Sequence, residues 1–417
     1  MMRRIVVLLP VLALGLAAWP VKAEFALTDG DRVMFFGTTP LWPASFGLQT
    51  ETFVRVKYPQ LKTRFWHWGP MQPCTIVRGQ ERLGDHLQAF TPTMAVLCFG
   101  LHDGGSKPFD ESRLAEFRKE LAGLIERCQR VGAKVVLVTP NSPEAYRKQI
   151  LSKAKYDQVV GRYAQAVREI GTERNLLVID WFAATQESAR QHAGDKPGKK
   201  ALTTDGLRPT PLANGLAADA LLQALGAESH EVEVHIDWAN TEATTTVGSI
   251  SATRAGDSAV TVELKNFPMP WVVPERGRVR PRSWGESPLC RFLVHVHNAP
   301  PGGVLISTPG GRPTPWLEQM LEEGSDMSVI GPFVATEPLL ELMELIRKKN
   351  RGLDKFDLWT NEPLPEPEYA EANAKYTAAM VAETEGTARI IARTPRTTDL
   401  TLKITLAKPP VKQKPVK

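Results

Sequence analysis

Apolar runs recur along the first half of the chain: Val33-Met34-Phe35-Phe36, Thr63-Arg64-Phe65-Trp66-His67, Met94 to Phe99, Lys134 to Val138, and Leu176 to Asp180. Helical patterns separate them near 42–58, 78–90, 110–132 and 143–173, and two more follow near 181–193 and 211–225. In the stretch 110–132, Leu114, Phe117, Leu121, Leu124, Ile125 and Cys128 form one stripe at helical spacing. Strands that are apolar almost throughout, alternating with helices, predict a parallel sheet covered on both faces. The expectation is an α/β fold with a five-stranded parallel sheet in a three-layer α/β/α sandwich. Sites in such folds form beyond the carboxyl ends of the strands, which points to Gly37, Gly69, Gly100 and the loop after Leu202.

After about His230 the texture changes. Val232-Glu233-Val234-His235-Ile236 alternates, and Thr244 to Lys265 reads as two strands around a turn-rich link at 254–258. Phe292 to His297 and Val304 to Ser307 read as a hairpin around Pro300-Pro301-Gly302-Gly303. Alternation with Gly/Pro turns predicts a small antiparallel β domain. Helices near 315–323, 337–349 and 366–383 interrupt it, and 387–393 and 399–406 read as returning strands. The expected division is a leader at 1–23, an α/β domain at 24–228, a β-rich region with helices at 229–407, and a Lys/Pro-rich disordered tail at 408–417.

The leader rests on a basic start at Arg3 and Arg4, an apolar stretch from Ile5 to Trp19 broken by Pro10, and the small residue Ala23 before Glu24. That composition predicts a cleavable secretory signal, and so a periplasmic or extracellular protein with no membrane anchor after cleavage. The formal charge of +5 falls by three, to +2, once Arg3, Arg4 and Lys22 leave. Such a mild balance gives no reason to expect nucleic acid or a membrane surface as partner. Cys74, Cys98, Cys128 and Cys290 show no CxxC pair. Buried free thiols are expected, with one disulfide left open.

The strand-end loops carry the chemistry. The first strand ends in Phe35-Phe36-Gly37 and is followed by Thr38-Thr39; the second ends in Trp66-His67-Trp68-Gly69. The third continues as Phe99-Gly100-Leu101-His102-Asp103-Gly104-Gly105, and a late loop reads Thr204-Asp205-Gly206-Leu207-Arg208-Pro209. Taken in order, these blocks resemble the SGNH/GDSL hydrolases, a family of GDSL-like lipases and acylhydrolases, and in particular its exported members with a C-terminal β-rich extension. The resemblance implies a flavodoxin-like sandwich and ester hydrolysis without a cofactor. It places Thr39 where the family has its nucleophilic Ser, and Gly69 and His102 where the family has the Gly and Asn of the oxyanion hole. Asp205 takes the place of the triad Asp and Arg208 that of the His base, while Gly37 and Asp103 support the loops.

Three of the four defining side chains therefore differ from the family pattern. The change at Arg208 weighs most, because a guanidinium cannot accept a proton at neutral pH, whereas the triad needs a neutral imidazole oriented by a carboxylate. Asp205 and Arg208 are expected to form an ion pair instead. The resulting expectation is a pseudoenzyme of the esterase fold that binds a carbohydrate or acyl-ester ligand. One alternative is an active ester hydrolase in which His102 serves as base to Thr39. Another is a structural or surface-interaction protein that works through the β-rich region.

Other features are read as structural. Trp66 and Trp68 can stack on a sugar ring, but packing is the preferred reading. Arg276, Arg278, Arg280 and Arg282 read as a solvated loop. His295 and His297 share a strand face opposite Phe292, Val294 and Val296; with no third ligand read nearby, no metal is expected. There is no P-loop, GxGxxG or HExxH. Oligomeric state is not legible.

Overall fold

A computed structural model describes residues 24–38, 45–69, 74–193, 202–229, 231–268, 271, 289, 291–299, 301–309, 313–326, 337–357, 381, 383–394 and 397–407. The leader, Thr39, the arginine run 276–282, Cys290 and the tail lie outside the described residues. Among the described residues no helix is long and apolar enough to cross a membrane.

The first unit alternates strands and helices: β1 (Arg32–Gly37), α1 (Phe46–Lys57), β2 (Arg64–Trp68), α2 (Ile76–Phe90), β3 (Met94–Cys98), α3 (Glu111–Arg130) and β4 (Lys134–Val138). Then come α4 (Gln149–Lys153), α5 (Tyr156–Glu173), β5 (Leu177–Ile179), α6 (Trp181–Ala193) and α7 (Pro211–Ala224). The five strands form an all-parallel sheet in the order β2-β1-β3-β4-β5, with Phe36 opposite Trp68 and Gly37 opposite Cys98. Strand alternation splits the core in two. Met34, Phe36, Trp66, Ala95 and Leu97 pack against α2, α3 and α5. Val33, Phe35, Phe65, Val96 and Val138 pack against α1 and α7. The result is the expected three-layer sandwich.

Local chemistry sets the helix starts. Asp110 caps α3 by accepting the N–H groups of Ser112 and Arg113, and Thr210 caps α7, which opens on Pro211. The stretch 143–173, read above as one helix, is divided. Pro143 follows a loop, residues 145–147 form a single 3-10 turn, and Lys155 at φ 49° separates α4 from α5.

The β-rich part contains β6 (Glu231–Asp237), β7 (Glu242–Thr245), β8 (Ser249–Arg254), β9 (Ala259–Pro268), β10 (Arg291–His297), β11 (Val304–Ser307), β12 (Thr314–Trp316), α8 (Glu318–Glu322), β13 (Ser325–Asp326), α9 (Glu337–Asp357) and β14 (Thr397–Leu406). Two sheets, β13-β10-β6-β7 and β12-β11-β14-β9-β8, face each other across one apolar core. The hairpin read at 292–307 does not form. β10 pairs in parallel with β6, whereas β11 pairs with β12 and β14 in the other sheet. The Pro/Gly-rich residues 301–303 thus precede a strand of the other sheet, and both strands turn their apolar faces inward. The region 387–393, read as a strand, is helical. Cys74, Cys98 and Cys128 are buried free thiols.

Polar contacts inside the core join the two parts. Glu51 of α1 is fully buried and meets Lys349 Nζ of α9 at 2.7 and 2.8 Å, Arg55 at 3.2 Å and His67 Nε2 at 3.2 Å. Lys349 also donates to the Phe65 carbonyl of β2 at 3.1 Å. Burial alone raises a carboxyl pKa, but Lys349, the His67 hydrogen bond and Arg55 overcome it and hold Glu51 well below its ordinary range. Beside it, Arg64 of β2 grips Glu383, which Thr387 also contacts at 2.7 Å. Glu51→Gln strands two buried cations and should cost about 3–5 kcal/mol in urea unfolding, whereas Glu51→Gln combined with Lys349→Met should recover much of that loss. Because the Glu51 pKa is lowered on folding, its contribution is present above the unfolded carboxyl pKa and fades as pH falls below it. The acid limb of a pH–stability curve should therefore flatten in the double variant.

Candidate active site

The strand order places β1 between β2 and β3; the crossover after β1 runs to β2 and that after β3 runs the opposite way to β4, which opens a crevice between their carboxyl ends. Thr38 follows β1 at that edge, with its N–H on the Cys98 carbonyl at 3.0 Å. Its hydroxyl is fully buried and has no hydrogen-bond partner among the described residues. Gly69 is buried one step past the Phe36–Trp68 pair, and Gly100 and His102 follow β3. Gly37, Gly69 and His102 thus share one edge, while Thr39, at the nucleophile position, lies outside the described residues.

Asp103 builds the third loop. Its buried carboxylate accepts the N–H of Ile76 at 2.7 Å and of Gly100 at 2.8 Å. It therefore caps the start of α2, whose own Thr75 makes no side-chain cap, and fixes the turn after β3. Burial pushes its pKa up to about 6 despite these donors. Tyr156 of α5 closes the loop from behind, donating to the Leu101 carbonyl at 2.9 Å.

The loop carrying Asp205 and Arg208 is clamped by the turn after β4. Glu144 accepts the N–H of Thr203 at 2.8 Å and also its hydroxyl, Arg147 donates to the Thr203 carbonyl at 2.8 Å, and Asn141 donates to the Leu207 carbonyl at 3.0 Å. Gly206 sits at φ +94° with the Glu144 carbonyl 3.2 Å from where a Cβ would be, so the turn requires glycine. The expected Asp205–Arg208 ion pair does not form. Asp205 accepts the backbone N–H of Arg208 at 2.8 Å and of Leu207 at 3.1 Å, and its charge partner is Lys148 at 3.2 Å. Burial works to raise its pKa, but these donors hold it below the ordinary value. The Arg208 side chain is exposed.

His102 lies within electrostatic reach of both residues. Burial lowers its pKa to about 4; Asp205 acts to raise it and Arg208 to lower it further. The imidazole is therefore neutral at physiological pH, able to donate one hydrogen bond and accept another. Trp66 and Trp68 are packed rather than presented: Trp68 stacks on Phe36 at 4.2 Å and Trp66 donates to His86 at 3.1 Å. Lys148, Glu144 and Arg147 were hidden in a stretch read as helix. Ser142-Pro143 was the available signal, because a residue before proline avoids helical backbone.

Fold and strand-end site define a flavodoxin-like three-layer α/β/α scaffold of the SGNH type. Residues 74–216 match the model of the GDSL-like Lipase/Acylhydrolase family, a span that includes the His102 and Asp205–Arg208 blocks. This stretch, about a third of the chain, is similar to the GDSL-like lipases and acylhydrolases, in keeping with the resemblance of the strand-end blocks. No curated protein matches it. Among solved structures it is similar to BT4096, a gut microbial diltiazem-metabolizing enzyme, at 14% identity and a TM-score of 0.62, over 91% of this chain and 98% of that one. It is also similar to the acetylxylan esterase Axe2 from Geobacillus stearothermophilus, at 20% identity and a TM-score of 0.41, over 49% of this chain and 97% of that one. A third is LAE5, an α/β hydrolase from the metagenome of Lake Arreo, Spain, at 18% identity and a TM-score of 0.41, over 49% and 99%.

The two charges around His102 give a direct check. By NMR titration its imidazole should protonate near pH 4. Arg208→Ala should move that midpoint up and Asp205→Asn should move it down.

Proposed function

We propose that this chain is an exported SGNH-fold protein that lacks the family's Ser-His-Asp hydrolysis and uses the crevice at the strand ends to bind an acyl-ester or carbohydrate-ester ligand. The observation that supports it is the state of Asp205. Its carboxylate is occupied by its own loop's N–H groups and by Lys148, and the residue at the base position, Arg208, has no proton-accepting atom. Nothing there orients an imidazole as the triad demands. Export is supported by the leader composition at 1–23, and the ligand class by the acylhydrolase family match.

A second reading keeps hydrolysis. His102 is neutral at physiological pH and Asp205 acts on it favourably. In this reading the Thr39 hydroxyl attacks the ester carbonyl, its proton passes to His102, and the protonated imidazole then returns a proton to the leaving alkoxide.

Hydrolysis of p-nitrophenyl acetate and binding of an O-acetylated oligosaccharide separate the two. The first reading expects wild-type turnover no faster than that of Thr39→Ala, together with saturable sugar binding that His102→Ala weakens. It also expects Thr38→Asp, Thr39→Ser, His102→Asn and Arg208→His together to raise turnover on the order of a thousandfold or more, because the triad acts as a unit. Turnover in the wild type that Thr39→Ala and His102→Ala abolish but Arg208→Ala spares would establish the second reading instead.

A further inference from the structure

The outward face of the β13-β10-β6-β7 sheet carries three imidazoles. β6 and β10 run in parallel register, with His235 opposite His295 and His297 two residues further along. Val232, Val234 and Ile236 and their partners Phe292, Val294 and Val296 fill the core, so the histidines share the other face. One ring nitrogen from each lies within 4.8 Å of the other two, and all three residues are partly buried. The third histidine, missing from the sequence reading, comes from a strand about sixty positions away that only the fold brings alongside.

Each ring is anchored through its other nitrogen. His297 Nδ1 lies 3.1 Å from Glu322 Oε2, His295 Nδ1 lies 3.3 Å from the Glu322 backbone carbonyl, and His235 Nε2 lies 3.5 Å from Glu233 Oε2. For His295 and His297 the hydrogen-bond partner is an acceptor, which assigns the N–H to Nδ1 and the lone pair to Nε2, whereas His235 has Glu233 beside Nε2 at the longer distance of an ion pair. The nitrogens on the far side of the rings from these partners are His235 Nδ1, His295 Nε2 and His297 Nε2. The first and last are 3.1 Å apart, and His295 Nε2 is buried with no hydrogen-bond partner. Without a metal, His235 Nδ1–H donates to His297 Nε2; moving that proton to Nε2 beside Glu233 frees both facing lone pairs for a cation. Gly324, at φ +87°, seats the His295 ring against bare backbone: a Cβ there would fall 2.4 Å from its Cε1.

We propose that His235, His295 and His297 form a binding site for a divalent first-row transition metal, with zinc the best match to three imidazoles, and with a fourth position open to solvent. Zinc binds imidazole nitrogen at about 2.0–2.1 Å in tetrahedral sites, which sets neighbouring ligands about 3.3 Å apart. The 3.1 Å pair is already near that spacing. The His235 and His295 rings stack 4.4 Å apart at 13°, so binding turns them about χ2, a soft torsion for histidine. A carboxylate or carbonyl behind each ring is the outer arrangement that fixes the tautomer of metal-bound histidines. Glu233 and Glu322 also supply two negative charges beside three neutral ligands. The site is distinct in residues and strands from the crevice at the parallel sheet.

The test uses the full chain, purified without a polyhistidine tag, stripped with EDTA and titrated with ZnCl2 by calorimetry, with bound metal counted by elemental analysis. One zinc per chain is expected, lost in His295→Gln with His297→Gln and weakened about 10–100-fold in Glu322→Gln. On wild-type protein, the imidazole 15N shifts should move at Nε2 of His295 and His297 and at Nδ1 of His235; this readout needs no variant to fold. Melting in EDTA should be the same for wild type and the double variant, so that lost binding is separated from lost folding. Absence of uptake, uptake that survives the double substitution, or shifts confined to other histidines would overturn the proposal.

Discussion

The buried carboxylate of Glu51 governs how the two parts of this chain sit together. A lone carboxylate at full burial is prohibitively unfavourable, so the residue demands cations, and it takes them from both sides of the molecule. Arg55 comes from its own helix and Lys349 from α9, while His67 of β2, whose pKa burial lowers, adds a hydrogen bond. Lys349 in turn donates to the backbone of β2. The edge strand of the parallel sheet is therefore held by β1 on one side and by a helix of the β-rich part on the other. Leu48 and Val56 of α1 also belong to the apolar core of the sandwich. The C-terminal part is accordingly a wall of the α/β unit, not an appendage, and Gly69 at the end of β2 inherits its position from that grip.

At the strand ends, the framework and the reactive groups have different fates. The framework is tied by hydrogen bonds: Asp103 joins α2 to the turn after β3, and Glu144, Arg147 and Asn141 lock the loop at 202–208. Electrostatics then decide what the site can do. Lys148 takes the charge of Asp205, Arg208 faces solvent, and the neutral His102 stands between their fields.

Much of this was legible in the sequence. Five apolar runs gave the parallel sheet, because strands covered on both faces leave a continuous apolar signature. The loops at Gly37, Gly69, Gly100 and Asp205 were found because strand ends are where such folds bind. What escaped was whatever depends on partners distant in the chain. The Asp205–Arg208 pair was the natural reading of residues three apart, but Lys148 lies 57 positions away and outcompetes it. Pairing between β6 and β10 was invisible because alternation reports which face is buried, not which strand lies alongside. Helical propensity at 387–393 was overridden in reading by β-branched residues such as Ile390 and Ile391, whose burial on a helix only packing reveals.

The same register links the apolar core of the β-rich part to its histidines. Val234 opposite Val294 and Ile236 opposite Val296 are the pairs that fill the sandwich. Because side chains alternate strictly, those pairs fix His235 opposite His295 on the outer face. A slip of one residue would drive an imidazole into the core and a valine into solvent, so hydrophobic burial enforces the histidine geometry without any contribution from the histidines themselves. What burial does not dictate is the outer ring of Glu233, Glu322 and Gly324. By holding the N–H groups of His295 and His297 at Nδ1, Glu322 leaves both Nε2 lone pairs turned toward His235, and that convergence is the physical basis for proposing a cation on this face.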